Sequence, residues 1–504
     1  MNEKIAIIDL GSNSVRMNIY GINEAGGYCV FEQAKEMVRL SEGLDEDGFL
    51  KPEPIERTLK ALKYFNRLIE VNNVETVFAL STAAVRMAEN QRYFLESVKS
   101  KLGLNFRVLT GEQEAYYDYL GVVNTLAFDD AVLVDIGGGS TEIVLVKNRE
   151  IVNSVSLPFG SVILTEHFKS IKNKKKQIES AEQFLSEEFA KLPWLQEGSG
   201  LPVIGLGGII RSLGKVHRNL NQYPIESLHN YNLTSEAVLD IMAMIQNVPQ
   251  EEIEKISGIN KRRADLMTLG MMPLKVIMGM ISSPKLKISA YGLREGCFLE
   301  YLNQRRGLPV VVESVLNHSV ENMMRRFSVN QTHAAQVHFL SESLFKSLSE
   351  LHEFDESELK LLKVAANLHD IGIHIDYYDH HLHGMYLITN SKIDGLSNLE
   401  QLAVAFLVGN HRDANVKDRF KSYEPFLQRD YLNHLYKLAV ILQLAEQLDR
   451  TESSYIQNLH VDIRDATVYL KLEAREFPDL DIESAMRFAN RFKKYYNRDL
   501  QIYV

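Results

Sequence analysis

The sequence carries one short pattern twice: an apolar strand, an aspartate, a turn rich in glycine and serine, and a second strand. In the first copy, residues 4–9 lead into the turn at 9–14, and residues 15–20 resume the apolar pattern. In the second copy, residues 131–135 precede the turn and residues 143–146 follow it. Two such units, with their aspartates 126 residues apart (135 minus 9), predict a duplicated α/β fold whose two similar lobes face a cleft. The cleft is the expected ligand site.

Both turns have the residue types that bind phosphate. Glycine lets the backbone approach a ligand closely, so that N–H groups and hydroxyls reach phosphate oxygens. A tight hairpin without ligand is the alternative, but a hairpin has no need of the aspartate that precedes each turn. The predicted phosphate-binding residues are Gly11, Ser12, Asn13, Ser14, Gly137, Gly138, Gly139, Ser140 and Thr141.

Three carboxylates beside these turns are predicted to hold a divalent cation. Asp9 and Asp135 end their strands, and carboxylate oxygens are the ligands that Mg²⁺ prefers. Mn²⁺ is the second candidate cofactor. Glu142 follows the second turn, where it binds the metal or orients water. Alternatively, it is an acid on a solvated strand face.

Two further segments contain candidate catalytic residues. Glu112 and Glu114 open a helix for which Thr110 and Gln113 form a predicted capping box. Water that attacks a phosphoryl group needs a carboxylate base, but acids in a first helical turn also stabilise the helix dipole. The local sequence leaves both roles open. The planar guanidinium of Arg86 suits phosphate oxygens, with a surface ion pair as the alternative.

Length and composition predict several domains. A chain of 504 residues, 45% of them hydrophobic, is too long for one core. We expect an α/β lobe at residues 1–125, a second lobe at 126–305, a helical domain at 306–455 and a small α+β domain at 456–504. Within the last domain, residues 459–463, 467–472 and 500–504 are predicted strands, and residues 482–496 are a predicted amphipathic helix. The helical domain shows three apolar faces at helical spacing, formed by His333, Val337, Leu340 and Leu344, by Leu362, Ala366 and His369, and by Leu438, Leu442, Ala445 and Asp449.

Charge and cysteine content exclude several classes of protein. The net charge of -10 argues against a general nucleic-acid binder, because such proteins need a basic surface. Cys29 and Cys297 lie far apart, so neither a disulfide framework nor a thiolate zinc site is expected. No apolar run approaches the roughly 18 residues that cross a bilayer. We therefore expect a cytoplasmic protein without nucleic-acid or membrane partners.

Seven motifs in order carry a family resemblance: DLGSNS at 9–14, STAAVR at 81–86, TGEQEA at 110–115, DIGGGSTE at 135–142, SLPFGSVILTE at 156–166, GLGGIIRSL at 205–213 and YGLREG at 291–296. Their order resembles the exopolyphosphatase and guanosine pentaphosphate phosphatase family, part of the actin-like ATPase superfamily. The resemblance implies a two-lobe α/β actin-like (ribonuclease H-like) core. Because the chain is long, it also implies the form with an all-α HD-like domain and a small α+β domain after the core.

The resemblance also implies an activity. It is Mg²⁺-dependent hydrolysis of the terminal phosphoanhydride of inorganic polyphosphate, with release of orthophosphate, in a homodimer. In the family, the glutamate before the alanine of the TGEQEA motif is the proposed base for water, and here it is Glu114, with Glu112 in reserve. Arg86 matches the family arginine that contacts phosphate. Ile163 stands where family members commonly carry a basic residue, which leaves the preferred chain length open.

Other functions remain possible from the sequence. Guanosine pentaphosphate, or the related tetraphosphate, is an alternative ligand of the same site. Residues 203–210 then hold its base, although the same glycine segment can equally serve to pack a helix onto a strand. An alternative of another class is a phosphate- or nucleotide-gated binding or scaffold module. A sugar or acetate-type kinase would need a second acceptor pocket, for which we find no segment.

A second constellation of candidate metal ligands lies in the helical domain. His333, the pair His369-Asp370, and Asp449 follow one another in the order of the HD metal-dependent phosphohydrolase superfamily, which they resemble. The resemblance implies a second divalent metal bound there. Buried core histidines without a ligand are the alternative. Three nearby histidines are candidates for additional ligands: His381, His383 and His411.

Overall fold

The computed structural model describes residues 3–44, 48–412, 416, 420–421, 423, 426–427 and 429–504. The chain divides into two compact units. The first comprises the described residues up to Asn23 together with Tyr28–Val315, and the second comprises Glu24–Gly27 with the described part of Leu316–Val504. Among the described residues, no helix is both long enough and apolar enough to cross a bilayer.

The first unit contains two sheets with the same topology. From edge to edge, the first sheet consists of Tyr28–Met37, Ser14–Ile22, Glu3–Leu10, Thr76–Ser81 and Phe106–Val108. The second consists of Glu150–Leu157, Thr141–Lys147, Ala131–Ile136, Val203–Leu206 and Lys285–Ile288, with Tyr231–Thr234 as an added edge strand. In both sheets, counted from the same edge, the first two pairs of neighbouring strands are antiparallel and the next two pairs are parallel. The predicted duplication is therefore present in order and in direction.

The central strand of each sheet is buried on both faces. Side chains alternate between the faces of a strand, and in each sheet alternate residues enter different cores. In the first sheet, one core contains Ile5 and Ile7, and the core on the other face contains Ala6, Ile8 and Leu10. In the second sheet, one core contains Val132, Val134 and Ile136, and the core on the other face contains Ala131 and Leu133. A strand of this kind reads as a continuous apolar run, and a polar residue near its end marks the edge of the core. Asp9 and Asp135 occupy those positions.

Helices connect the strands of the first unit. The helices between strands of the first sheet are Pro52–Val71, Ala83–Arg86 and Gln91–Leu102, and the helix Gly111–Val123 leads from the first sheet to the second. Those that follow are Ser161–His167, Lys174–Ala190, Gly207–Leu220, Ser235–Asn247, Ala264–Gly270, Met272–Met280 and Leu293–Arg305, with 3-10 turns at Pro193–Gly198, Gln250–Lys255 and Lys261–Arg263.

The second unit begins with helices and ends in a small sheet. The described helices are Val315–Arg326, Gln331–Ser347, Ser349–His352, Glu356–Leu368, His380–Asn390, Asn398–Gly409 and Arg429–Gln447, with a 3-10 turn at Ile371–His374. The three predicted apolar faces are confirmed, because every residue assigned to them is buried. The sheet consists of Ile456–Arg464, Thr467–Ala474 and Asp499–Tyr503, and its first pair is antiparallel and its second parallel.

One element of the C-terminal part differs from expectation. The single helix predicted at 482–496 is two helices, Asp479–Met486 and Ala489–Tyr496. The break lies at Phe488, whose N–H donates to the carbonyl oxygen of Ala485 at 3.0 Å. This bond spans three residues, which winds the chain more tightly than the four-residue bonds of an α-helix. An apolar pattern alone does not reveal such a break.

Candidate active site

The two glycine-serine turns have the same local geometry and lie against one another. In the first turn, the Gly11 N–H donates to the Ser14 carbonyl oxygen at 3.2 Å; in the second, the Gly137 N–H donates to that of Ser140 at 3.0 Å. A Cβ atom added to Gly139 would lie 2.4 Å from the Oγ of Ser12 and 3.2 Å from the Cβ of Ala83, so a larger residue would have to displace the Ser12 side chain. The turns form two walls of one cavity, the active-site cavity.

Most of the predicted site residues line this cavity. They are Asp9, Gly11, Ser12, Asn13, Ser14, Glu114, Asp135, Gly137, Gly138, Gly139 and Ser140. Four predicted residues lie outside the lining: Arg86, Glu112, Thr141 and Glu142. The hydroxyl of Thr141 is buried and donates to the carbonyl oxygen of Phe159 at 2.7 Å. Glu112 is exposed, so it does not face the same space as Glu114.

Glu114 reaches the cavity from the first turn of the helix Gly111–Val123. The predicted capping box is present, because the Gln113 N–H donates to the Thr110 hydroxyl and the Thr110 N–H donates to the Gln113 side chain, both at 3.2 Å. Burial raises the pKa of Glu114 to about 7, and the neighbouring Arg86 guanidinium opposes the rise. A carboxyl group with a pKa near neutrality is suited to accept a proton from water.

Arg86 is the direct partner of Glu114. Its Nη1 donates to Oε2 of Glu114 and to the carbonyl oxygen of Leu109, both at 2.9 Å. The two side chains are only 24% and 11% exposed, so water screens this ion pair weakly. Arg86 therefore fixes the orientation of Glu114, and its predicted contact with phosphate stays a prediction.

Several other carboxylates are buried near Glu114. The Ser156 hydroxyl donates to Oε1 of Glu142 at 2.7 Å. Burial raises the pKa of Glu142 well above its ordinary value, and the charges of Glu114 and Asp135 raise it further. Burial likewise raises the pKa of Asp9 and of Asp135. Buried carboxylates that disfavour one another's ionisation match the needs of a hard divalent cation, which would offset their charge.

Asp118 also lines the cavity, although no sequence motif marks it. It lies four residues after Glu114 on the same helix and is 3% exposed. Burial raises the pKa of its carboxyl group well above the ordinary value, and the charges of Asp135, Glu142 and Glu114 add to the rise. Residues four apart share one face of a helix, so the spacing from Glu114 is the signal that could have identified Asp118.

Four arginines supply positive charge to the same cavity: Arg16, Arg211, Arg263 and Arg294. Burial and the charges of Arg211 and Arg294 lower the pKa of Arg16 to about 10. A second cavity, of about 330 Å³, shares all four arginines and adds Lys35 and Lys215. We call it the basic cavity. Cations held close together despite their repulsion indicate a site for an anion with several charges.

Sequence comparison agrees with this geometry. Residues 19–305 match the model of the Ppx/GppA phosphatase family, and residues 315–479 match that of Ppx/GppA phosphatase domain III. The chain belongs to the Ppx/GppA phosphatase family. It is therefore a hydrolase that acts on phosphoanhydrides, as expected from the sequence motifs.

Two relatives with the same name extend over most of this Ppx/GppA chain. The guanosine-5'-triphosphate,3'-diphosphate pyrophosphatase of Pseudoalteromonas atlantica is 28% identical over 429 residues, 81% of this chain and 80% of the relative. That of Pseudoalteromonas translucida is 27% identical over 482 residues, 93% of this chain and 92% of the relative.

Two solved structures confirm the two-lobe actin-like core. The Ppx/GppA family member of Aquifex aeolicus is 32% identical, with a TM-score of 0.52, and the match covers 60% of this chain and 98% of that one. An exopolyphosphatase from Cytophaga hutchinsonii is 23% identical, with a TM-score of 0.57, and the match covers 62% of this chain and 100% of that one.

The region matched by the domain III model contains the second predicted constellation. Among the described residues, two groups of side chains are close enough to hold a metal ion, and they share Asp370. The first group is His333, His369 and Asp370, and the second is Asp370, His380 and His411. These five residues are called the histidine cluster below.

The histidine cluster differs in part from the predicted ligand set. His333, His369 and Asp370 come together as predicted, and His411 joins them as one of the additional candidates. Asp449 lies outside both groups, and its Oδ2 accepts a hydrogen bond from Nδ1 of His333 at 2.8 Å. His381 and His383 are also in neither group, whereas His380, which no motif marks, belongs to the second. Three histidines follow one another closely in the sequence, and only the direction of the helix His380–Asn390 decides which of them enters the cluster.

Proposed function

We propose that the active-site cavity hydrolyses the terminal phosphoanhydride of inorganic polyphosphate and releases one orthophosphate in each turnover. The observation that carries this proposal is the position of Glu114. Its buried carboxyl group faces a cavity walled by two phosphate-type turns, its pKa is raised to about 7, and Arg86 fixes its orientation at 2.9 Å.

In the proposed mechanism, the two turns hold the terminal phosphate through backbone N–H groups and the hydroxyls of Ser12 and Ser140. Glu114 accepts a proton from a water molecule whose oxygen attacks the phosphorus, and the bond to the bridging oxygen breaks. The shortened chain keeps the bridging oxygen, which becomes an oxygen of its new terminal phosphate, and the attacked phosphoryl group leaves as orthophosphate. The arginines along the cavity stabilise the negative charge on the phosphate oxygens.

A divalent cation fits the acidic side of the cavity. We propose that Asp9, Asp135 and Glu142 hold Mg²⁺ or Mn²⁺, directly or through water, since buried carboxylates are suitable ligands for either ion. When bound, the cation would draw charge from the phosphate oxygens. Asp118 faces the same space and is an additional candidate ligand in this proposal.

Guanosine pentaphosphate is the second candidate substrate, and two observations favour it. The basic cavity adds Lys35 and Lys215 to the four arginines beside the active-site cavity. It offers a place for a second group of phosphates at a distance from the scissile bond. The two long relatives are named for an activity on guanosine-5'-triphosphate,3'-diphosphate. Inorganic polyphosphate would fill both cavities with one continuous chain.

A phosphate-release assay with Mg²⁺ distinguishes these substrates. The wild type is compared on long-chain polyphosphate, guanosine pentaphosphate and ATP, with Glu114→Gln as the control for contaminating phosphatases. Exopolyphosphatase activity predicts the highest kcat/KM on polyphosphate, whereas a preference for guanosine pentaphosphate would establish the second candidate. Release from none of the three would contradict both candidates and support the gated binding or scaffold module.

Other expectations from the sequence complete the proposal. We propose four domains at 1–125, 126–305, 306–455 and 456–504, an HD-like fold for the third, and a cytoplasmic homodimer. The HD resemblance by itself implies one divalent ion on His333, His369, Asp370 and Asp449. Size-exclusion chromatography with light scattering tests the dimer, because a mass near twice 57.5 kDa is expected.

A further inference from the structure

The ring orientations in the histidine cluster are set by backbone carbonyl groups. Nδ1 of His369 lies 2.8 Å from the Ala366 oxygen. Nδ1 of His380 lies 2.8 Å from the Tyr377 oxygen, and Nδ1 of His411 lies 2.6 Å from the Val408 oxygen. A carbonyl oxygen only accepts hydrogen bonds, so each Nδ1 carries the proton and donates it. In the neutral rings, every Nε2 then has a free lone pair.

These lone pairs point at one another. Nε2 of His369 lies 3.2 Å from Nε2 of His333, and Nε2 of His380 lies 3.0 Å from Nε2 of His411. The four side chains are at most 5% exposed, so water does not separate them. Two lone pairs at such a distance repel unless a proton lies between them or a metal ion lies beside both. The cluster therefore contains two paired acceptor sites.

Asp370 connects the two pairs through its two carboxylate oxygens. Its Oδ2 lies 3.5 Å from Nε2 of His369 and 3.8 Å from Nε2 of His333. Its Oδ1 lies 3.2 Å from Nε2 of His380 and 3.7 Å from Nε2 of His411. Each carboxylate oxygen therefore lies beside one pair of imidazole nitrogens, and together the three atoms form one possible set of metal ligands.

We propose that the histidine cluster binds two divalent transition-metal ions side by side, bridged by Asp370. One ion takes His333, His369 and Oδ2, and the other takes His380, His411 and Oδ1. Imidazole ligands favour Zn²⁺, Fe²⁺, Co²⁺ or Ni²⁺ over Mg²⁺. The proposal differs from the one-ion expectation in the number of ions and in the use of His380 and His411 as ligands. It also gives Asp449 another role: Asp449 orients His333 by accepting a hydrogen bond from its Nδ1 and does not bind metal.

The fold brings the second pair to Asp370 through a close backbone contact. The 3-10 turn Ile371–His374 follows Asp370 directly and packs against the helix His380–Asn390. A Cβ atom added to Gly372 would lie 1.9 Å from the carbonyl oxygen of His380. Only glycine allows this approach, and the approach places His380 beside the carboxylate.

The open side of the proposed site carries positive charge. Asp370 is the only member of the cluster with appreciable exposure, at 17%. Nη2 of Arg450 donates to the Tyr377 hydroxyl at 3.2 Å, and the guanidinium of Arg412 lies 5.5 Å from the centre of the same ring. The Arg450 charge acts on Asp370. We assign an oxyanion of the phosphate class as the external ligand of the ion pair, because it binds both metal and guanidinium groups.

A titration with Co²⁺ tests the number of ions. The full chain is freed of metal, equilibrated in millimolar Mg²⁺ to occupy oxygen-donor sites, and titrated while the visible absorption of nitrogen-bound Co²⁺ is recorded. We expect two equivalents for the wild type, one for His411→Ala, and none for Asp370→Asn. His383→Ala is the matched control, on the same helix as His380 and outside both groups, and it should bind two.

The one-ion alternative predicts different results. One equivalent in the wild type, or two in His411→Ala, would overturn the proposal. The circular dichroism spectrum and its thermal unfolding profile check that each variant is folded. If His411→Ala fails this check, His380→Asn replaces it, and one equivalent is again expected. Because neither readout depends on the substrate of the active-site cavity, failure here leaves the proposed function intact.

Inorganic phosphate tests the external ligand. Phosphate added to the Co²⁺-loaded wild type should change the visible spectrum, and Arg450→Ala should weaken that effect about tenfold, as expected for one charge-assisted hydrogen bond. A spectrum that phosphate leaves unchanged would overturn the oxyanion assignment while the ion count stands on its own titration.

Discussion

The active-site cavity and the histidine cluster both bury several titratable groups, but they do so with opposite chemistry. The cavity combines carboxylates with arginines, and the cluster combines four imidazoles with one carboxylate. Oxygen donors and guanidinium groups suit Mg²⁺ and phosphate, whereas imidazole nitrogens suit transition-metal ions. If both proposed sites bind metal, different metals should therefore occupy them without competing.

The two regions also differ in how they hold their side chains. In the cavity, glycine turns and a capped helix present backbone N–H groups and the Glu114 carboxylate to a ligand. In the cluster, backbone carbonyl oxygens fix the imidazole rings so that lone pairs face inward. The N–H groups of the cavity are suited to bind an anion, and the inward lone pairs of the cluster are suited to bind a cation.

The largest expected effect separates the two sites. Glu114→Gln removes the proposed base and should lower kcat for phosphate release by about 10²–10⁴-fold, the usual contribution of general base catalysis. Co²⁺ binding to the histidine cluster should be unchanged. Both quantities are measured on the same preparation.

Glu112→Gln is the matched control, because Glu112 is exposed on the same helical turn. It should change kcat by about twofold or less, since surface substitutions usually alter free energies by no more than about 0.5 kcal/mol. A large loss in Glu112→Gln together with an active Glu114→Gln would show that the base is wrongly assigned. Loss of Co²⁺ binding in Glu114→Gln would contradict the independence of the two sites.

Much of the fold is predictable because its signals are local. The repeated strand, aspartate and turn pattern predicts both central strands and the duplication, since a strand buried on two faces has a distinctive apolar run. The inward faces of the helices follow from spacing alone. The division of residues 482–496 into two helices is not predictable in this way, because it depends on the bond geometry at Phe488.

The site is predictable only where function is tied to a motif. The turns and Glu114 lie in motifs, and the structure places them at one cavity. Asp118 is marked only by its spacing of four residues from Glu114. Arg263 reaches the same cavity through tertiary packing, and no local pattern distinguishes it from a surface residue. His380 is similar, because its place beside Asp370 depends on the contact of Gly372 with a helix. Residues of this kind require the three-dimensional structure.

The four arginines that line the active-site cavity provide a second test, because the proposed substrate is held by their charge. Arg211→Ala removes one charged partner of the substrate, which is worth about 1.5–3 kcal/mol, and should raise KM for tripolyphosphate by about 10–100-fold. Arg218 is on the same helix but lines neither cavity. Arg218→Ala is therefore the matched control and should leave KM unchanged. Equal KM values for the two variants would show that Arg211 does not contact the substrate. The effect of Arg211→Ala should shrink at high salt.

The pH dependence tests the burial of Glu114. Its pKa is raised from 4.5 to about 7, and only the ionised form accepts a proton. The value of kcat/KM should therefore be constant above pH 7 and fall about tenfold for each unit below it. In Arg86→Gln the cation that opposes the rise is gone, so the midpoint should move to higher pH. A wild-type midpoint near 4.5 would show that Glu114 is not the titrating base.

The smallest expected effects come from the helix caps, which differ between the two regions in their distance from the chemistry. Thr110 caps the helix of Glu114, four residues before it. Asp355 caps the helix Glu356–Leu368, whose opposite end leads into His369 and Asp370. Thr110→Ala and Asp355→Ala should each lower the free energy of unfolding by about 1 kcal/mol, measured by chemical denaturation.

Thr110→Ala should also slow phosphate release a few-fold, because the first turn that carries Glu114 loosens. Asp355→Ala should leave the Co²⁺ stoichiometry at two, because fraying of a first turn does not reach the far end of the helix. A loss of one equivalent in Asp355→Ala would mean that the histidine cluster depends on the whole helix, and that its rings are held less locally than their carbonyl contacts indicate.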